Sequence, residues 1–130
     1  MTVQISTLAH SEDTRGFSFA APSEALVFLG HIADLRCTST TPGAVRGNHY
    51  HLHKRQALVM FPGTVWSLHW DEGEDTPAQH RNFPGNSAVM VLVRPGCSIA
   101  VRNDGEHLLW LVTCSSKPYD PKEIIAREVI

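Results

Sequence analysis

No stretch of this chain is long and amphipathic enough to specify a sizeable helix. Its apolar residues come in short runs, and Pro, Gly, Asn or Asp separates one run from the next. Short apolar segments punctuated by turn residues specify an all-β sandwich or barrel. The candidate strands are 25–32, 49–53, 56–61, 65–70, 88–93, 98–102 and 108–114. Pro62-Gly63 and the stretch from Asp71 to Glu74 supply the turn chemistry of hairpins. Within 65–70, alternation puts Trp66, Leu68 and Trp70 on one face and Val65, Ser67 and His69 on the other. Both faces are partly apolar, so the sheet is expected to be covered on each side. One short helix is expected at the C-terminus: Asp120 caps, Pro121 takes the first helical position, and Glu123 completes a capping box before Ile124, Ile125 and Ala126.

At 130 residues the chain makes one domain, 1–130, divided into an N-terminal arm (1–24), a barrel (25–116) and a C-terminal tail or helix (117–130). The arm is polar and Gly-punctuated, suited to adding a strand to a neighbour's sheet. Eleven Lys and Arg against thirteen Asp and Glu give a net charge of -2, and the basic residues are scattered, so no nucleic-acid-binding face is expected. The longest apolar run, 88–93, is far short of the roughly 20 residues of a membrane span, and no leader pattern opens the chain, so a cytoplasmic protein without membrane partners is expected. Three cysteines with no C-x-x-C pair are expected to stay reduced as small core residues. Histidine stands out: three of the eight fall at His49, His51 and His53. In an extended strand these alternate residues point the same way, their origins about 6.5–7 Å apart, so two imidazoles can converge on one substrate or one metal ion. A metal needs a further donor from elsewhere in the fold.

The stretch from Gly43 to Gly63 resembles the first cupin motif, G-x5-H-x-H-x(3,4)-E-x6-G, with His49 and His51 in place and Gln56 at the Glu position. Gly96 to Asn103 keeps the spacing of the second motif, with Ile99 where its histidine belongs. Within cupins the chain resembles the sugar-nucleotide branch of dTDP-4-dehydrorhamnose 3,5-epimerases, dTDP-sugar 3,4-ketoisomerases and the cupin domain of capsule-biosynthesis reductases. Arg46-Gly47-Asn48-His49-Tyr50-His51 carries that likeness, joined by Asp13-Thr14-Arg15-Gly16 and by the closing run from Leu111 to Tyr119-Asp120-Pro121.

This resemblance implies a double-stranded β-helix, the cupin jelly roll, with the short C-terminal helix added, forming a homodimer whose mouth holds a nucleotide-linked sugar. The implied function is epimerisation or keto-isomerisation of a 4-keto sugar in polysaccharide or deoxysugar biosynthesis. His49 falls on the general base, His51 on a second active-site histidine, and Arg46 on the arginine that contacts the diphosphate. Gln56 and His69 are further substrate-binding candidates. The expected chemistry uses no cofactor; a divalent metal (zinc, iron, nickel or manganese), if bound, would take His49, His51 and His53. The alternatives are a non-catalytic sugar-binding module and a metal-dependent small cupin enzyme.

Overall fold

The computed structural model describes residues 3–130; Met1 and Thr2, the first positions of the expected arm, lie outside the described residues. The strands are β1 (Val3–Thr7), β2 (His10–Asp13), β3 (Gly16–Phe19), β4 (Asp34–Thr40), β5 (Val45–His51), β6 (Gln56–Met60), β7 (Trp66–Trp70), β8 (Gln79–Phe83), β9 (Val89–Val93), β10 (Ile99–Asn103), β11 (Leu109–Ser115) and β12 (Ile124–Ala126). Two five-stranded sheets, β1-β9-β6-β11-β4 and β12-β5-β10-β7-β8, form the expected all-β roll; β2 and β3 make a separate hairpin. All pairings within the sheets are antiparallel. The arm's Val3–Thr7 pairs with Val89–Val93 of its own chain. No helix among the described residues is long and apolar enough to cross a membrane.

The continuous apolar run of β9 follows from its position. Val89, Val91 and Val93 face the barrel core with Trp66, Leu68, Trp70 and Phe83, while Met90 and Leu92 face outward onto a second cluster. A strand covered on both faces has no reason to alternate. The outer cover is a helix, α1 (Ser23–Leu29), whose Ala25 and Leu29 pack with Leu8, Ala57, Ala88, Met90 and Leu92. This corrects the strand expected over 25–32. The run is too short for periodicity alone to separate strand from helix, and Ala25 and Leu29, four apart, form the buried helical stripe. Gly30, at φ 79°, ends the helix by donating its N–H to the Leu26 carbonyl.

The C-terminal helix also departs from expectation. Asp120 does cap, accepting the Lys122 N–H at 3.0 Å, but only a single 3-10 turn (Pro121–Glu123) follows. Ile124, Ile125 and Ala126 then pair with His51, Tyr50 and His49 on the edge of β5. Three residues cannot repay helix nucleation, whereas two β-branched residues beside an open strand edge gain ladder bonds at once. The tail is tied further along. Asn48 Oδ1 accepts the Val129 and Ile130 N–H groups, and Arg127 forms a two-pronged ion pair with buried Asp71 at 2.7 Å while its guanidinium lies 4.2 Å from the Tyr50 ring centre. Asp71 stays below the usual carboxylate range: burial opposes this, but the Arg127 bonds and the Ser98 and Gly73 N–H groups outweigh it.

The departure that shapes the site is a bulge in β5. Ile99 of β10 opposes His49 and Ala100 opposes Gly47, so Asn48 is an extra residue with no partner on β10. Gly47 lies at φ 114° and Asn48 at φ 60°. A Cβ at Gly47 would stand 2.3 Å from the Ile99 oxygen and 2.8 Å from the Ala100 Cα, both backbone atoms. Only glycine fits there, on dihedral and steric grounds alike. Gly47→Ala is therefore expected to lower unfolding free energy by about 3 kcal/mol or more, through strain at a special backbone position. Urea denaturation beside the parent chain measures this, and an unchanged midpoint would contradict the bulge.

Candidate active site

Opposite residues of an antiparallel pair share a face, so Arg46, opposite Val101, and His49, opposite Ile99, both look inward. Strict alternation would have sent Arg46 and His49 to opposite faces. The bulge shifts the parity by one and gathers Arg46, His49 and His51 on one wall. They border a cavity of about 370 Å³ lying between the two sheets. Its floor is apolar, from Leu58, Ile99, Val101, Leu111 and Ile124. Gln56, Thr113 and Ser115 add neutral polar groups, and Asp34, Arg36, Lys54 and Tyr119 complete the charged and aromatic lining.

The His49 and His51 rings lie 5.3 Å apart, nearly perpendicular at 83°. His51 is 8% exposed and neither of its ring nitrogens makes a hydrogen bond. Its pKa falls to about 4, first because burial disfavours the cation, then because Lys54 and His49 add positive charge. Glu123 opposes that fall, as does Gln56, which lies near the ring without a well-formed bond to either nitrogen. His51 is thus a neutral imidazole at ordinary pH, its ring in the cavity wall and both nitrogens buried without a hydrogen-bond partner.

Arg46 stands at the mouth, where its Nε and Nη2 donate to the Ser39 carbonyl at 3.1 and 2.9 Å. This leaves the rest of the guanidinium fork open to a ligand. Gln56 donates to Ser115 Oγ at 3.1 Å. Lys54 is only 3% exposed although it is charged. Tyr119 lies between two cations, with the Arg36 guanidinium 5.1 Å and the Lys54 ammonium 6.0 Å from its ring centre. Three cationic side chains and one carboxylate line the cavity, a balance that suits an anionic ligand.

Two candidates from the sequence lie elsewhere. His53 is 71% exposed and its ring meets the Glu123 carboxylate at 3.2 Å, outside the cavity. The strand ends at His51, so alternation does not carry through to His53. His69 also misses the cavity. Trp66, Leu68 and Trp70 fill the barrel core, which turns Ser67 and His69 to the other face; there His69 Nε2 lies 3.0 Å from Ser67 Oγ and its ring stacks on His80 at 5.5 Å. A cupin metal would be left with two imidazoles and the neutral amide of Gln56, already bonded to Ser115, with Ile99 in the remaining position. No group of three metal-ligating side chains occurs among the described residues. This donor set does not fit a resident divalent ion.

Sequence reasoning misses Asp34, Arg36 and Lys54 and reads Tyr119, in the closing run, as a packing residue; the structure brings all four to the cavity. The signal for those three is period two: Lys54 shares parity with Gln56 and Leu58, while Asp34 and Arg36 share it with Thr38. The polar character of residues 34–40 reads as a loop only if every inward face is assumed to be dry.

No protein-family model matches the chain, and no curated protein matches it in sequence. Solved structures do match in shape. The 3'-monoepimerase ChmJ from Streptomyces bikiniensis, in complex with dTDP-quinovose, superposes with a TM-score of 0.79 at 18% identity over 96% of this chain and 69% of that one. The Mycobacterium tuberculosis rmlC epimerase gives 0.75 at 17% identity, covering 96% and 68%. A 3,4-ketoisomerase from Helicobacter canadensis gives 0.71 at 21% identity, covering 96% and 90%. These likenesses show the fold, the cupin jelly roll that the sequence resemblance implied.

Because His51 has a lower pKa folded than its ordinary 6.5, the unfolded chain takes up a proton that the native state refuses between 6.5 and about 4. Its contribution to stability is fully present above that window and is lost as pH falls through it. Ring-proton NMR is expected to place the His51 midpoint near 4; titration at the ordinary value would show that the ring is not shielded in the cavity.

Proposed function

We propose that this chain is an isomerase of nucleotide-linked 4-keto sugars, moving protons between sugar carbons with His49 and His51. The observation that carries the reading is the pair of adjacent imidazoles, one of them held neutral, on the inner wall of a cavity whose mouth and sides are cationic. The structural neighbours named for epimerisation and 3,4-keto-isomerisation support the same class.

The chemistry follows from the groups present. A carbonyl acidifies the C–H bonds beside it, and a neutral imidazole is a competent base at neutral pH. His49 removes the proton from the carbon next to the carbonyl, and the electron pair moves onto the carbonyl oxygen to give an enolate. Lys54 lines the same cavity and supplies positive charge for that oxygen. The proton of the neighbouring hydroxyl moves onto the enolate oxygen as that hydroxyl carbon becomes the new ketone, and His51, neutral and without a hydrogen bond at either nitrogen, relays the proton taken by His49 to the former carbonyl carbon. Arg46 and Arg36 offer planar forks for the diphosphate. Both imidazoles project from one strand, so proton transfer occurs along one face of the sugar, which favours keto-isomerisation. Tyr119 brings a phenol to the cavity, and epimerisation with that phenol returning the proton is the second reading.

Incubation with a dTDP-4-keto-6-deoxy sugar in deuterated buffer, followed by NMR, is expected to show deuterium entering at the carbon beside the ketone. His49→Ala should slow that exchange by about 100-fold or more, the usual scale for losing a positioned base. Undiminished exchange would remove His49 from its role, and tight binding without exchange would return the chain to a sugar-binding module.

A further inference from the structure

We propose that Glu123 is a positioning residue: its carboxylate closes the turn between β5 and β6 and thereby keeps the Lys54 ammonium inside the cavity. The capping box expected from the sequence assigned Glu123 to its own turn, but its side chain reaches across to residues 52–54. Oε1 accepts the N–H of Lys54 at 2.8 Å and, more closely still, the N–H of His53. Oε2 faces His53 Nδ1 at 3.2 Å, and the Glu123 carbonyl accepts the Leu52 N–H at 3.0 Å. One residue, its side chain 12% exposed, therefore satisfies three successive backbone N–H groups in a turn that has no ladder partners of its own.

The consequence falls on Lys54. Its side chain leaves from a residue whose own N–H is held, and it runs inward although no carboxylate lies within 4 Å of its ammonium among the described residues. Lys54 is 3% exposed, and the flexible stem of a lysine carries its ammonium to open water unless the backbone is fixed. Glu123 fixes it and remains ionised. Burial alone would raise its pKa, but the His53 and Lys54 N–H groups and the His53 ring hold it below the usual carboxylate range. The other groups around this turn are His49, His51 and Tyr119, none of which replaces the clamp.

The placement of Lys54 is independent of the sugar chemistry; only its role at the carbonyl oxygen rests on the function proposed above. The chain has three lysines, Lys54, Lys117 and Lys122, and the last two are exposed. Competitive acetylation with acetic anhydride, read by mass spectrometry as the Lys54 to Lys117 ratio, needs no substrate. In the parent chain Lys54 should react slowly. In Glu123→Ala the ratio is expected to rise about tenfold as the turn opens, and in Glu123→Gln, which keeps one acceptor oxygen, about threefold. The Gln variant carries the test if the Ala variant does not fold. An unchanged ratio in the folded variants would overturn the proposal. With a 4-keto sugar nucleotide, Glu123→Ala should lower kcat with little change in KM, as should Lys54→Met, and combining the two should cost nothing more. Release of Lys54 in a chain that turns over no such sugar keeps the positioning role and refutes the function. Turnover without release does the reverse.

Discussion

The site depends on one irregularity, the unpaired Asn48 that β5 carries opposite the Ile99–Ala100 step. Were β5 a regular strand, Arg46 would face outward while His49 faced inward. Two features in adjacent residues make the bulge obligatory. Gly47 tolerates no Cβ, and Asn48 occupies the left-handed region that asparagine accepts better than most residues. Asn48 also uses its side chain to bind the tail, so the residue that sets the parity of the cavity wall anchors the C-terminal segment as well. The arginine, glycine and histidine spacing of residues 46–51 is therefore a statement about backbone geometry as much as about chemistry.

Electrostatics completes what geometry begins. A cavity with more cations than carboxylates would ordinarily hold its ligand's phosphates and do little else. Here the same positive charge, together with burial, keeps His51 unprotonated. A neutral imidazole beside cationic side chains is a combination that lets a pocket hold an anion and still pass a proton. The tail contributes through Glu123, whose carboxylate holds the turn by its hydrogen bonds and whose charge opposes the fall in the His51 pKa.

Much of this was legible in the residues. The short apolar segments locate β6, β7, β9, β10 and β11 within a residue, half of the strands in the two sheets, and the 46–51 segment points to the wall that bears the site. The misses have physical causes. Residues 34–40 look like a loop because their inward side chains, Asp34, Arg36 and Thr38, face a cavity instead of a core. Residues 25–32 look like a strand because a short apolar run carries too few turns to reveal its period. His53 and His69 were grouped with the other histidines on alternation, but one lies past the end of its strand and the other shares its strand with three core residues that had already claimed the inner face. Glu123 was invisible as a clamp because its contacts span about 70 residues of chain.

The edge strand β4 bears differently on how such a barrel changes over time. Its neighbour β11 and the next strand, β6, supply Leu58, Met60, Leu109 and Leu111 to the apolar cluster, whereas β4 offers that interior only polar and charged groups. Substitutions on the neighbours are judged by packing, and those on β4 by what the hollow admits. Selection can rewrite one wall of the vessel while the masonry that supports it stands untouched, giving one scaffold many tenants.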